Sequence, residues 1–137
     1  MRSGFRRAAQ RSALAVALFT GVAISVAAPA SAAPPPTVIH DCTGNAFVKP
    51  KMIDSIFCAD VSIIVTDIHW SRWSPTLAVG HGIEHRKTCV PNCAEGPIEV
   101  RPVDVTLFAP KGGEFTHIRL VDKNGVITRK LTDPVPS

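Results

Sequence analysis

Proline limits most what this chain can fold into. Eleven of its twelve prolines fall within residues 33–137, and a proline inside a helix removes a hydrogen bond and clashes with the preceding turn. Long helices are therefore out of reach there. The same stretch holds 12 Val, 10 Ile and 9 Thr against 4 Leu and 6 Ala. β-Branched side chains are stiff at χ1 and suit a pleated surface, whereas Leu and Ala are ordinary helix formers. Both arguments predict an all-β fold.

Residues 1–32 read differently. Arg2, Arg6, Arg7 and Arg11 give a positive start, Ala13 to Ala28 an uncharged apolar run, and Ala30-Ser31-Ala32 small residues at a cleavage site. That layout predicts a secretory signal peptide, cut between Ala32 and Ala33. The run spans 16 residues and is rich in Ala, whereas a membrane span wants about 20 more strongly apolar ones. The chain is expected to be secreted, extracellular or envelope-associated, with no membrane attachment after cleavage.

Four of the 15 Lys and Arg lie in this segment and all 11 acids lie outside it, so residues 33–137 carry 11 charges of each sign. The basic character of the whole chain belongs mostly to the export segment. A nucleic-acid partner is excluded, since such binding needs a clustered surplus of cations.

The four cysteines, Cys42, Cys58, Cys89 and Cys93, all follow the export segment. Outside the cytoplasm an even count reads as disulfides. Of three possible connectivities, Cys42–Cys58 with Cys89–Cys93 is favoured, because each pair closes a local loop containing Pro or Gly. The expected organisation is a Pro-rich extended arm at 33–41, a single domain at 42–133 and a frayed tail at 134–137. Strands are expected over Val61–Trp73, Thr76–His85, residues 98–108, Phe115–Val121 and Val126–Leu131. Asn124-Gly125 is expected as a hairpin turn, and a change of apolar parity at Pro102 as a bulge or kink. The fold class is a small antiparallel β-sandwich or partly open barrel of five to seven strands, stapled by two disulfides.

Few constellations carry chemistry. His81-Gly82-Ile83-Glu84-His85 matches the H-x-x-E-H string of inverted zinc peptidases, but that chemistry needs a helix. On a strand His81 and His85 stand about 13 Å apart. A zinc site of His81, His85, Cys89 and Cys93 competes with disulfide formation. Trp70 and Trp73 resemble a sugar-stacking pair in composition, yet residues three apart on a regular strand face opposite sides. No serine elbow, phosphate loop or dinucleotide fingerprint occurs. No catalytic residue, metal ligand or cofactor is assigned.

Several elements taken together resemble a loose group of small secreted actinobacterial proteins that have no assigned function. They are Cys58-Ala59-Asp60, Trp70-Ser71-Arg72-Trp73, Ala78-x-Gly80-x-Gly82 and Cys89-x-Pro91-x-Cys93-Ala94-x-Gly96. A Val-rich strand after Pro102 and one containing Phe115-Thr116 follow. The resemblance covers roughly residues 50–121 and implies export, two disulfides and a compact β-fold. It implies no activity, and its pattern requires neither Glu84 nor His85.

The expected function is that of a non-catalytic domain binding a protein or cell-wall partner, with loop 89–96 presented by its disulfide and Pro91. Two alternatives stand beside it: a proteinase inhibitor presenting the same loop, and a zinc hydrolase using His81, Glu84 and His85.

Overall fold

A computed structural model describes residues 21–59 and 62–131. Residues 1–20, which hold most of the expected signal peptide, and the expected frayed tail at 134–137 lie outside them. The chain divides after Ala32 into two units. In the first, residues 21–32 are exposed and without regular structure. All that follows concerns the second.

Seven strands form two sheets, and no helix occurs among the described residues. β1 (Ile39–His40) and β2 (Ala46–Phe47) make a small hairpin. β3 (Ile63–Trp73), β4 (Ala78–Lys87), β5 (Ile98–Lys111), β6 (Glu114–Asp122) and β7 (Gly125–Lys130) follow one another in an antiparallel meander. The all-β class and both disulfides, Cys42–Cys58 and Cys89–Cys93, are as the sequence predicts.

The turns between strands show how local chemistry sets register. Lys111 pairs with Glu114 across Gly112 (φ 59°) and Gly113 (φ 79°). Both central positions need positive φ, which glycine adopts without steric cost. The β6–β7 hairpin departs from expectation by one residue. Asp122 pairs with Gly125, so the turn is centred on Lys123 and Asn124 rather than on Asn124-Gly125. The Asn124 N–H donates to Asp122 Oδ1 at 2.7 Å. Asp at the first position and Gly at the last suit a common turn without positive φ at its centre.

One face of the five-stranded sheet carries the core. Ile63, Val65 and Ile68 of β3, Ala78 of β4, Val103, Val105 and Leu107 of β5, and Ile118 and Leu120 of β6 are buried on it. The segment from Thr37 to Ala59 lies over this face and contributes Ile39, Ile53 and Ile56. Val38 bridges Glu114, and Ile53 bridges Val65 through bonds of 2.8 and 3.0 Å. The Cys42–Cys58 disulfide closes this covering layer on itself.

Two irregularities in β3 decide which side chains join the core. Its register with β4 shifts between Thr66 and His69 and again between Trp70 and Arg72. Each shift inserts one extra residue and reverses the alternation that follows. The sequence alternation puts Ile68 and Trp70 on the face opposite Ile63 and Val65. The first bulge, at Asp67 (φ 52°), brings all four to the same face. The second brings Trp73 there as well. The two indoles meet edge to face at 4.8 Å, and Trp73 meets Phe115 at 5.5 Å. Trp70 Nε1–H donates to the Pro50 carbonyl at 2.8 Å, and Trp73 Nε1–H to the Thr37 carbonyl at 3.0 Å. Both tryptophans therefore pin the covering layer to the sheet.

Gly80 and Gly82 provide the space for this bulged strand. A Cβ on Gly80 would stand 2.7 Å from the His69 carbonyl oxygen and 3.0 Å from the Trp70 ring. One on Gly82 would stand 2.7 Å from the Thr66 carbonyl oxygen. The expected bulge at Pro102 is absent, because β4 and β5 stay in one unbroken register from Ala78↔Leu107 to Lys87↔Ile98. The change of parity there has another cause: Ile98 and Val100 point to the outer face.

Candidate functional site

The 89–96 loop joins β4 to β5 and is exposed from Cys89 to Glu95. Its conformation is fixed from within. Asn92 Oδ1 accepts the N–H groups of Ala94 and Glu95 at 3.0 and 2.9 Å, and Asn92 Nδ2 donates to Glu95 Oε2 at 2.6 Å. Below these, the Gly96 N–H donates to the Asn92 carbonyl at 2.8 Å and the Thr88 N–H to the Pro97 carbonyl at 3.0 Å. Gly96 is buried at this neck, where any Cβ would collide with the Thr88 carbonyl. The Cys89–Cys93 disulfide closes the loop.

An apolar strip adjoins it. Val90 at the tip is 77% exposed, and Ile98 and Val100 at the start of β5 are 61% and 60% exposed. A depression of about 310 Å³ lies between loop and sheet, lined by Ile64, His85, Lys87, Cys89, Cys93 and Ile98. Apolar side chains at this level of exposure contribute little to folding.

The H-x-x-E-H residues are not brought together. Glu84 faces the core side of β4 and is fully buried, while His81 and His85 point to the outer face. His85 Nε2 lies 3.0 Å from Thr66 Oγ1. Alternation along a strand separates a glutamate from both histidines, where a helix would gather them. Cys89 and Cys93 are bonded to each other, so neither is a thiolate ligand. Among the described residues no three His, Cys, Asp or Glu side chains converge on a common point. The Trp70–Trp73 pair faces the core and offers no open sugar platform.

Glu84 belongs instead to a charged cluster that ends the core. Its Oε1 accepts from Arg86 Nε at 3.1 Å and Nη2 at 2.5 Å. Its Oε2 has no hydrogen-bond donor and faces Arg101 Nε at 3.8 Å. Arg101 also reaches Asp122 Oδ2 at 3.2 Å and pairs with Glu99. The Asn124 backbone N–H, followed by the Arg101 and Arg86 charges, holds the Asp122 carboxyl below its ordinary value against the opposing effect of desolvation. No sequence pattern announces this cluster, since its members come from three strands.

Compared with protein-family models, curated proteins and solved structures, the chain matches none. None of the described residues forms a helix long and apolar enough to cross a membrane.

Proposed function

We propose that the chain is a secreted, non-catalytic binding domain that engages an envelope or extracellular protein through the 89–96 loop and the adjoining Ile98–Val100 strip. The observation that carries this reading is the continuity of a pre-organised loop with apolar side chains left open to solvent. Fixing a loop before binding lowers the conformational entropy lost on association. Large exposed apolar groups beside it supply area to remove from water. The near-neutral charge of residues 33–137 makes long-range steering weak, so the contact relies on shape and burial. The inhibitor reading takes second place, since Cys93 to Glu95 form a turn and not an extended segment offered for strand pairing.

The test is retention on isolated cell envelopes, measured as a saturable isotherm. Val90→Asp and Ile98→Asp should each weaken retention by about tenfold, the order of an interface hot-spot residue. Val126→Asp, at an exposed position on β7, should leave it unchanged. Equal retention by all three variants and the parent chain would overturn the assignment of the surface.

A further inference from the structure

We infer that His69 and His81 form a surface chelate for a divalent transition-metal ion of the zinc, copper or nickel class. It lies on the outer face of the sheet and goes beyond the binding function proposed for the loop. His69 on β3 and His81 on β4 are direct cross-strand partners. Both are exposed, and their rings lie 5.7 Å apart between centres with planes inclined by 24°.

That spacing is close to what one shared ion requires. An imidazole nitrogen binds zinc at about 2.0–2.1 Å, which puts the centres of two rings on a tetrahedral ion about 5.2 Å apart. Near-parallel rings do not aim their nitrogens at one point, so rotation about the χ angles of these exposed side chains must turn the rings toward a shared ion as well as close the remaining half-ångström. The pair is also placed by the backbone rather than by chance of rotamer. Without the extra residue at Asp67, His69 would share the parity of Ile63 and Val65 and face the core. The bulge turns it outward, beside His81. Gly80 and Gly82, on either side of His81, keep the two strands at their close approach, since a Cβ on either would meet a β3 carbonyl oxygen at 2.7 Å.

The surroundings fit a cation of this class. The two histidines line a groove of about 680 Å³ that also takes in Asp67 and Asp104. Asp104 is the β5 partner of His81. Lys123 is the exposed cation on the rim, while the Arg101 and Asp122 charges in the groove wall are engaged with each other. Imidazole donors favour zinc, copper and nickel over magnesium or calcium, which take oxygen ligands. With two protein ligands, water completes the coordination sphere. The two carboxylates act as neighbours that favour positive charge and hold its aqua ligands. His85 is occupied by Thr66 and His117 lies 2.7 Å from Thr116 Oγ1 on β6, so neither belongs to the pair.

The experiment is calorimetric titration of the full chain, made without a polyhistidine tag, with zinc, nickel and copper salts alone. One ion per chain is expected to bind. His69→Ala and His81→Ala should each weaken the affinity at least about tenfold. His85→Ala and His117→Ala should leave it unchanged. Circular dichroism of each variant checks the fold, which these outward positions do not support. In a parallel measurement, nickel should broaden the ring proton resonances of His69 and His81 before those of the other histidines. No saturation up to about 1 mM metal, an unchanged affinity in His69→Ala, or broadening led by another histidine would overturn the inference.

Discussion

Replacing Arg101 with methionine tests the charged cluster most directly. The side chain of Arg101 is 10% exposed, and that of Glu84, which it faces at 3.8 Å, is fully buried. At an effective dielectric constant of about 20, two unit charges at that separation attract by about 4 kcal/mol. Methionine keeps the aliphatic stem and removes the charge. Glu84 is then left with Arg86 on one oxygen and nothing on the other, while Glu99, half exposed, turns to water. Removing one partner of a buried pair typically costs about 3–5 kcal/mol. For a domain whose whole stability is about 5–15 kcal/mol, that is a large share. Thermal unfolding with both disulfides intact should show Tm lowered by more than about 10 °C. The double variant Glu84→Leu/Arg101→Met removes both charges of that pair and should recover part of the loss, because apolar replacement of a buried pair is often neutral, while Asp122 still lacks Arg101. A loss below about 1 kcal/mol for Arg101→Met, the range of exposed pairs, would refute the claim that Glu84 depends on Arg101.

Three further outcomes follow from the same structure. Trp73→Phe keeps an aromatic ring but removes the donor to the buried Thr37 carbonyl; it should cost about 1–3 kcal/mol in denaturant unfolding and speed amide exchange at Val38 and Phe115. Serine replacement of Cys42 and Cys58, 16 residues apart, should cost about 3 kcal/mol, and of Cys89 and Cys93, four apart, about 2 kcal/mol, by the chain-entropy relation. Asp41 accepts hydrogen bonds from Asn45 and Thr43 that lower its pKa from 3.8 to about 2, the Asn45 side chain having the largest effect. A depressed folded-state value means the stabilisation is present above the ordinary carboxylate range and lost as pH falls through about 2. The unfolding midpoint of Asp41→Asn, followed from pH 4 to pH 2, should therefore fall less steeply than that of the parent chain.

The class of fold was legible because composition averages over the whole chain: β-branched residues and prolines act through local sterics, wherever the strands end. The disulfide pairing was legible from the nearness of each pair in sequence. Side-chain facing was not. Each bulge in β3 is one extra residue, and nothing in Thr66-Asp67-Ile68 or Ser71 marks where it falls. One misplaced residue reverses the assignments up to the next bulge, so Trp70 and His69 stood on the wrong side in a regular reading, while the second bulge returns Trp73 to the face its parity gives. Gly80 and Gly82 are the only sequence signal, and they speak of close backbone approach without naming the neighbour. The Glu84 cluster was hidden for another reason. A string such as His81-Gly82-Ile83-Glu84-His85 suggests chemistry by adjacency, while a strand sends its members to opposite faces.

The two faces of the sheet are built for different ends, and this asymmetry connects the loop to the strip beside it. On the inner face, polar atoms are matched across elements: indole N–H groups meet carbonyls of the covering layer, and the carboxylates at the end of the core face guanidinium groups. Such matching is what burial demands, because an unpaired polar group inside is costly. The outer face meets no such demand from the described chain, yet Ile98 and Val100 occupy places where Thr or Lys would serve a solvent-facing strand equally well. Their parity is constant through Pro102, so their exposure is a property of the strand and not of a local distortion. A stable turn at Gly96 then fixes the 89–95 segment beside them. Stability alone explains neither the exposed apolar pair nor an exposed loop held by its own disulfide. The proposed recognition of a partner that covers both would explain them together.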